Sequence, residues 1–306
     1  MDGTIVKEPG KTGSQWRILY SVRLPELCCD FFDLTPTVGE GKGESFARVP
    51  VGAGDLLLGD AGYCLAFGIE SVVARQGDVL VRINPQALVL EDRRGRSFSL
   101  LRKLQALKEA ERIREWPVRI ADTAVSGRVC AVRKSELAIR RAHPRREQRT
   151  SKKQSQTKPE TWEYAKYVAV FTTEETSPTE RILDWYRVRW QVDLVFKRLK
   201  SLVQVGHPPK YDERSLRAWL YGKLFVALLT QRLIRLGRDI SPGGTNWPKG
   251  VQRSEWREFS IKCKMLWSRN WRWRRSCPNG TGSRTPCPHA GRSRRKRGPS
   301  FRPPCR

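Results

Sequence analysis

The chain has 306 residues, with 59 Lys and Arg against 31 Asp and Glu, a net charge of +28 at pH 7. A surface this basic repels itself unless a polyanion compensates it, so nucleic acid is the leading partner. The absence of eighteen consecutive apolar residues argues against a membrane partner, and the lack of an apolar core in Met1 to Lys11 argues against secretion, so a cytoplasmic protein is expected.

In chain order, Trp16 to Leu24 and Cys28 to Leu34 read as short strands separated by glycine-rich punctuation. Leu56, Leu57 and Leu58 form an apolar run that ends in Gly59-Asp60-Ala61-Gly62-Tyr63. Ala66 to Gln76 has helical character and Gly77 to Asn84 is a further strand, a β-α-β rhythm. Between Ala87 and Lys134 further strands are expected, among them Trp116 to Ile120 and Arg128 to Arg133. Arg140 to Lys158 reads as a mobile basic loop, with Glu147 its only acid.

Lys166 to Thr173 is β-branched and aromatic and predicts the best strand of the chain. A single helix is expected from Ser177 to Val203, with Ser177 as N-cap, Pro178 in the first turn and Glu180 closing a capping box. A second apolar helix follows over Arg214 to Leu236. From Ser241 to Arg306 there are 17 Lys and Arg against 2 Asp and Glu, a surplus of +15, whereas the first 240 residues carry +13. The tail's five tryptophans show no period, which predicts low order and suggests a frameshift near residue 240. The eight cysteines have no CxxC pair and only three histidines beside them, so they read as reduced thiols. Gly10-Lys11-Thr12 is not a phosphate-binding loop, because Ile5 stands where the first glycine is needed.

At about 100° per residue, Trp185, Val188, Val192, Val195, Leu199 and Leu202 fall in one stripe of the Ser177 to Val203 helix and should face the core. Tyr186, Arg189, Asp193 and Lys200 fall together on a second stripe. Taken alone, Arg189 and Asp193 are four apart and make an ordinary intrahelical ion pair. Together the four residues form Y-x2-R-x3-acid-x6-K, preceded in the chain by Asp2-Gly3-Thr4 and by the Gly59 to Tyr63 motif.

In this set of motifs the chain resembles the insertion-sequence-four class of DDE transposases, and the likeness covers most of the part before residue 240. The resemblance implies an α/β fold: a ribonuclease-H-like catalytic core with a β-rich insertion between the second and third acids, followed by helices and a disordered basic tail. The expected divisions are 1–85 and 166–240 for the two parts of the core, 86–165 for the insertion with its basic loop, and 241–306 for the tail. It implies Asp2, Asp60 and Asp193 as catalytic acids holding two Mg²⁺ or Mn²⁺ ions, with Asp2 bridging both. Tyr186, Arg189 and Lys200 would contact DNA phosphates. Hydrolysis at transposon ends and strand transfer into target double-stranded DNA follow, with a homodimer on DNA and a place in the nucleoid.

The chain departs from the family pattern at three points. Asp193 stands where the family has glutamate, which draws its carboxylate back by roughly 1.5 Å. Asp2 is second in the chain, so the strand that should present it is almost absent, along with the family's N-terminal DNA-end-binding region, and a frayed terminus is expected. The tail is the third. Three readings stand: an active transposase, a remnant that binds DNA through charge alone, or a basic RNA-binding or ribosome-associated protein, which fits the charge but predicts no clustering of the three acids.

Overall fold

The computed structural model describes residues 1–9, 15–24, 26–39, 43–107, 113–140, 159–208 and 212–240. The expected basic loop after Arg140 and the tail after residue 240 lie outside them. So do Cys263, Cys277, Cys287 and Cys305, whereas Cys28, Cys29, Cys64 and Cys130 are free thiols.

The first sixty residues are less fragmented than expected. Strand β1 (Asp2–Lys7) pairs antiparallel with β2 (Gln15–Arg23), which pairs antiparallel with β3 (Cys28–Pro36). Alternation explains the pleat: Trp16, Ile18 and Tyr20 of β2 point to one side and are buried. The strand that should present Asp2 is therefore present, and it begins at Asp2 itself. Pairing with β2, from Asp2 opposite Tyr20 to Lys7 opposite Gln15, holds it in place.

The β-α-β rhythm forms as read. Strand β4 (Leu56–Gly59) and strand β5 (Asp78–Arg82) are parallel, connected through helix α1 (Ala66–Val73). Val79, Leu80 and Val81 of β5 are all fully buried, as suits a strand covered on both faces. Strand β6 (Leu90–Glu91), helix α2 (Leu100–Gln105), strand β7 (Ile113–Ile120) and strand β8 (Ser126–Arg133) follow. Helix α3 (Pro159–Ala165) then leads into strand β9 (Tyr167–Thr172). The sheet order is β4-β5-β9-β8-β7-β6, with all pairs after β4-β5 antiparallel. Strands β6 to β8 thus extend the sheet that carries β4 and β5.

The single helix expected over Ser177 to Val203 is two. Helix α4 (Thr179–Val188) and helix α5 (Gln191–Ser201) are separated at Arg189 and Trp190, where the backbone bonds tighten to a three-residue step. Arg189 N–H donates to the Tyr186 carbonyl at 3.1 Å and Asp193 N–H to the Trp190 carbonyl at 3.1 Å. The reason lies in the packing. Ile182 and Leu183 of α4 cover Leu80, Cys130 and Val170 of the six-stranded sheet. Val192, Val195, Phe196 and Leu199 of α5 instead join Ile18, Tyr20 and Leu34 of the three-stranded sheet and Leu216, Leu220 and Leu224 of helix α6 (Glu213–Ile240). The expected single stripe fails at Val188, which is 37% exposed at the break.

The expected capping box does not form either. Pro178 takes the cap position without a side-chain bond. Glu174 gathers the free amides instead, accepting from Thr176 N–H at 3.1 Å and Ser177 N–H at 2.8 Å.

Candidate active site

The site is built where β1 meets the end of β4. The Met1 ammonium donates to the Leu58 carbonyl at 2.7 Å, and Met1 itself is buried. Burial pushes this amine down to about 6, against the opposing pull of Asp2. The expectation of a frayed, poorly fixed Asp2 is therefore overturned: its neighbour is tied to β4, and its own carboxylate accepts from Gly3 N–H at 2.8 Å.

Asp60 follows the last residue of β4. Its carboxylate caps the short 3-10 turn Ala61–Tyr63 by accepting from Gly62 N–H at 2.7 Å. That local bond explains the spacing of Asp60 and Gly62, and it leaves the remaining carboxylate oxygen for another partner. Glu44, just before the 3-10 turn Phe46–Arg48, completes a group with Asp2 and Asp60 in which one oxygen from each lies within 4.8 Å of the others.

Asp193 comes to the same place from the first turn of α5. Arg189 joins it to Asp2: Nη1 donates to Asp2 Oδ2 at 3.4 Å and Nη2 to Asp193 Oδ2 at 3.4 Å. Both bonds are at the long end for N–H···O. The intrahelical pair with Asp193 and the contact with the distant Asp2 thus coexist on one guanidinium.

The electrostatics follow from burial and crowding. Burial is the largest effect raising the Asp2 carboxyl; the Asp60 charge and contact with Asp193 push the same way, against the Gly3 amide and Arg189. Burial also raises Glu44, which Arg17 opposes and Asp60 reinforces. For Arg189, burial favours loss of the proton, but Tyr186, Asp193, Asp2 and Asp60 outweigh it and hold the guanidinium protonated. Two neighbouring carboxyls raised together, Asp2 and Glu44, are ones that a cation would relieve.

Tyr186 is half-buried; its hydroxyl is raised mainly by burial, with Arg189 and Arg82 pulling it down. Lys200 lies on the exposed side of α5, seven residues or roughly 10 Å beyond Asp193. The structure therefore gathers Asp2, Asp60, Asp193, Arg189 and Tyr186, and leaves Lys200 at the rim.

Three residues were not legible beforehand. Glu44 stands in no spacing relation to the other acids. Arg82 is an ordinary strand-end arginine until β5 carries it beside Tyr186. Tyr63, in the Gly59 to Tyr63 motif, is fully buried, and its hydroxyl has no hydrogen-bond partner among the described residues. The motif itself was the one available signal for Tyr63; for Glu44 there was none.

The profile of the Transposase DDE domain family matches residues 44–229. The match contains Glu44, Asp60 and Asp193, while Asp2 precedes it. The transposase for insertion sequence element IS421 of Escherichia coli is 26% identical over 266 residues, which is 79% of this chain and 67% of its own length. InsL, of insertion sequence element IS186A in Escherichia coli strain K12, is likewise 26% identical over 266 residues, 79% of this chain and 67% of that protein. The transposase for insertion sequence element IS231C of Bacillus thuringiensis subsp. berliner is 38% identical over 55 residues, 18% of this chain and 12% of its own length.

Proposed function

Because this chain belongs to the Transposase DDE domain family, we propose that it is a DNA transposase of the insertion-sequence-four class, cleaving double-stranded DNA at transposon ends and joining the ends to target DNA. The observation that carries the reading is that Arg189 bridges Asp2 of β1 and Asp193 of α5, while Asp60, at the end of β4, has an oxygen within 4.8 Å of one from Asp2. Three antiparallel strands beside a parallel β-α-β unit support a ribonuclease-H-like core, with strands β6 to β8 as the insertion between the second and third acids.

The donors fit the divalent ion that the family uses. Carboxylate oxygens are what Mg²⁺ and Mn²⁺ take, and Asp2 and Asp60 offer them within 4.8 Å. When bound, two such ions supply Lewis-acid activation of the attacking water and neutralise charge on the phosphate. The remaining work falls to side chains. Arg189 offers a planar fork suited to phosphate oxygens, Tyr186 lies beside it, and Lys200 adds a point charge farther along the backbone. These groups position the duplex without reading its sequence. The net charge of +28 favours binding DNA in the nucleoid, and a homodimer would bring two ends together.

The test is cleavage of a duplex carrying the DNA that flanks this reading frame, with the purified full chain and Mn²⁺. Strand breaks that vanish in Asp60→Ala support the reading; uncut DNA under all metal conditions overturns it.

A second reading, a remnant that holds DNA without cutting it, is favoured by one observation: the close oxygen group among the described residues is Asp2, Glu44 and Asp60, without Asp193. Asp193→Glu separates the two readings. Adding one methylene advances the carboxylate toward the group, and cleavage that rises on the order of 10²-fold identifies a site that is short by one bond rather than dismantled.

A further inference from the structure

Glycines just after each of the first two acids, Gly3 and Gly62, leave space that Glu44 occupies. A β-carbon at Gly3 would lie 2.5 Å from Glu44 Oε1, 3.0 Å from its Cδ and 3.1 Å from its Cγ. A β-carbon at Gly62 would lie 2.9 Å from Glu44 Oε2 and 3.1 Å from Asp60 Oδ1. Neither glycine is required there for a left-handed backbone. Both are required for room, and the group that uses the room is a carboxylate.

A half-buried glutamate set between two other carboxylates costs stability unless something positive joins them. Arg17 provides part of that charge. It only partly offsets the charges of Glu44, Asp2 and Asp60 at the Tyr63 hydroxyl, which is fully buried and has no hydrogen-bond partner among the described residues. A buried hydroxyl is seldom left unpaired, and one facing a carboxylate group is supplied with an acceptor when those oxygens, or water held among them, are fixed by a cation.

We propose that Glu44 is a further carboxylate ligand of the divalent-cation site, seated against Asp2 and Asp60 by the missing β-carbons of Gly3 and Gly62 and backed by the Tyr63 hydroxyl. The inference rests on the transposase reading for the presence of a cation, and goes beyond it by adding a fourth acid to Asp2, Asp60 and Asp193.

The test is calorimetric titration of the full chain with Mn²⁺ alone, without DNA, alongside thermal melts in chelator. Glu44→Gln keeps the shape and removes the charge. It is expected to weaken Mn²⁺ binding about 10- to 100-fold while melting in chelator at or above the wild-type temperature. Gly3→Ala keeps every acid, but its new β-carbon meets Glu44 first and displaces it; it is expected to weaken Mn²⁺ at least about tenfold. Asp60→Asn is the reference and should abolish binding. If Asp60→Asn abolishes binding while Glu44→Gln and Gly3→Ala stay within twofold of wild type, Glu44 is no ligand and the transposase reading stands. If the wild type binds no Mn²⁺, or binds it as Asp60→Asn does, both fall.

Discussion

Two arginines in this protein each tie separate elements together through carboxylates, and they do so in opposite ways. Arg128 of β8 donates from Nη1 to Glu115 at 2.8 Å and from Nε to the Glu174 carbonyl at 3.0 Å. From Nη2 it donates to the Glu174 carboxylate at 3.2 Å and to the Ser177 carbonyl. Arg189 reaches Asp2 and Asp193 at 3.4 Å each. Both are largely enclosed, with 12% and 17% of their side-chain surface exposed. The first has spent its donors on β7 and on the loop that starts α4, so it holds structure. The second is loosely held between two carboxylates and keeps capacity for phosphate oxygens and for rearrangement when a cation arrives. Burial is alike; bond length and saturation separate the structural arginine from the one in the candidate site.

The largest effect that could undo this contrast is on stability. Arg128→Ala leaves Glu174 and two carbonyls without their donor and is expected to cost about 3–5 kcal/mol in a urea melt, with cleavage per folded molecule unchanged. A loss below about 1 kcal/mol would erase the distinction from the Arg128 side.

From the other side, Arg189→Lys keeps the charge and loses the fork. Cleavage should fall on the order of 10²-fold, with the melt within about 1 kcal/mol of wild type. A variant that melts early yet cuts normally would make Arg189 the structural residue instead.

A smaller effect separates the partners of Arg128. Although burial works to raise it, Glu174 is held below the usual carboxylate value by its bonds from Thr176 and Ser177. Glu174→Gln should lose about 1–2 kcal/mol at neutral pH. The sign follows from the depressed folded value: the charged group stabilises above its ordinary value of 4.5 and stops doing so as pH falls through the lower folded value. The difference between wild type and variant in melts at stepped pH should therefore shrink below about 4.5 and persist above it.

The smallest change is expected at the rim of the site. Lys200→Met should leave the melt unchanged and weaken DNA binding uniformly across sequences. The slope of log affinity against log salt should drop by about 1, measured by fluorescence anisotropy. A loss confined to one DNA sequence would move Lys200 from backbone contact to base reading.

The expected strands and helices appear nearly where the patterns put them, because alternation and helical periodicity are local properties. β9 (Tyr167–Thr172) lies inside the expected Lys166 to Thr173 segment, and α6 (Glu213–Ile240) contains the expected Arg214 to Leu236. The site was half legible. Asp60 announced itself by the motif that ends an apolar run, and Tyr186, Arg189 and Asp193 by helical spacing. The break at Arg189 and Trp190 was hidden, since each half of the segment carries a valid apolar stripe and the difference lies in which sheet receives it.

The order of residues along the chain was enough to assign the α/β character, the motif acids and the family likeness, since each depends on neighbours within a few positions. Folding alone brought Glu44 to Gly3 and Gly62, closed β1 onto β4 through the Met1 ammonium, and turned Arg189 from one carboxylate's partner into the link between two. Those contacts join residues 18 to 187 positions apart, and they depend on sheet order and on space left by absent side chains. No local pattern records either quantity.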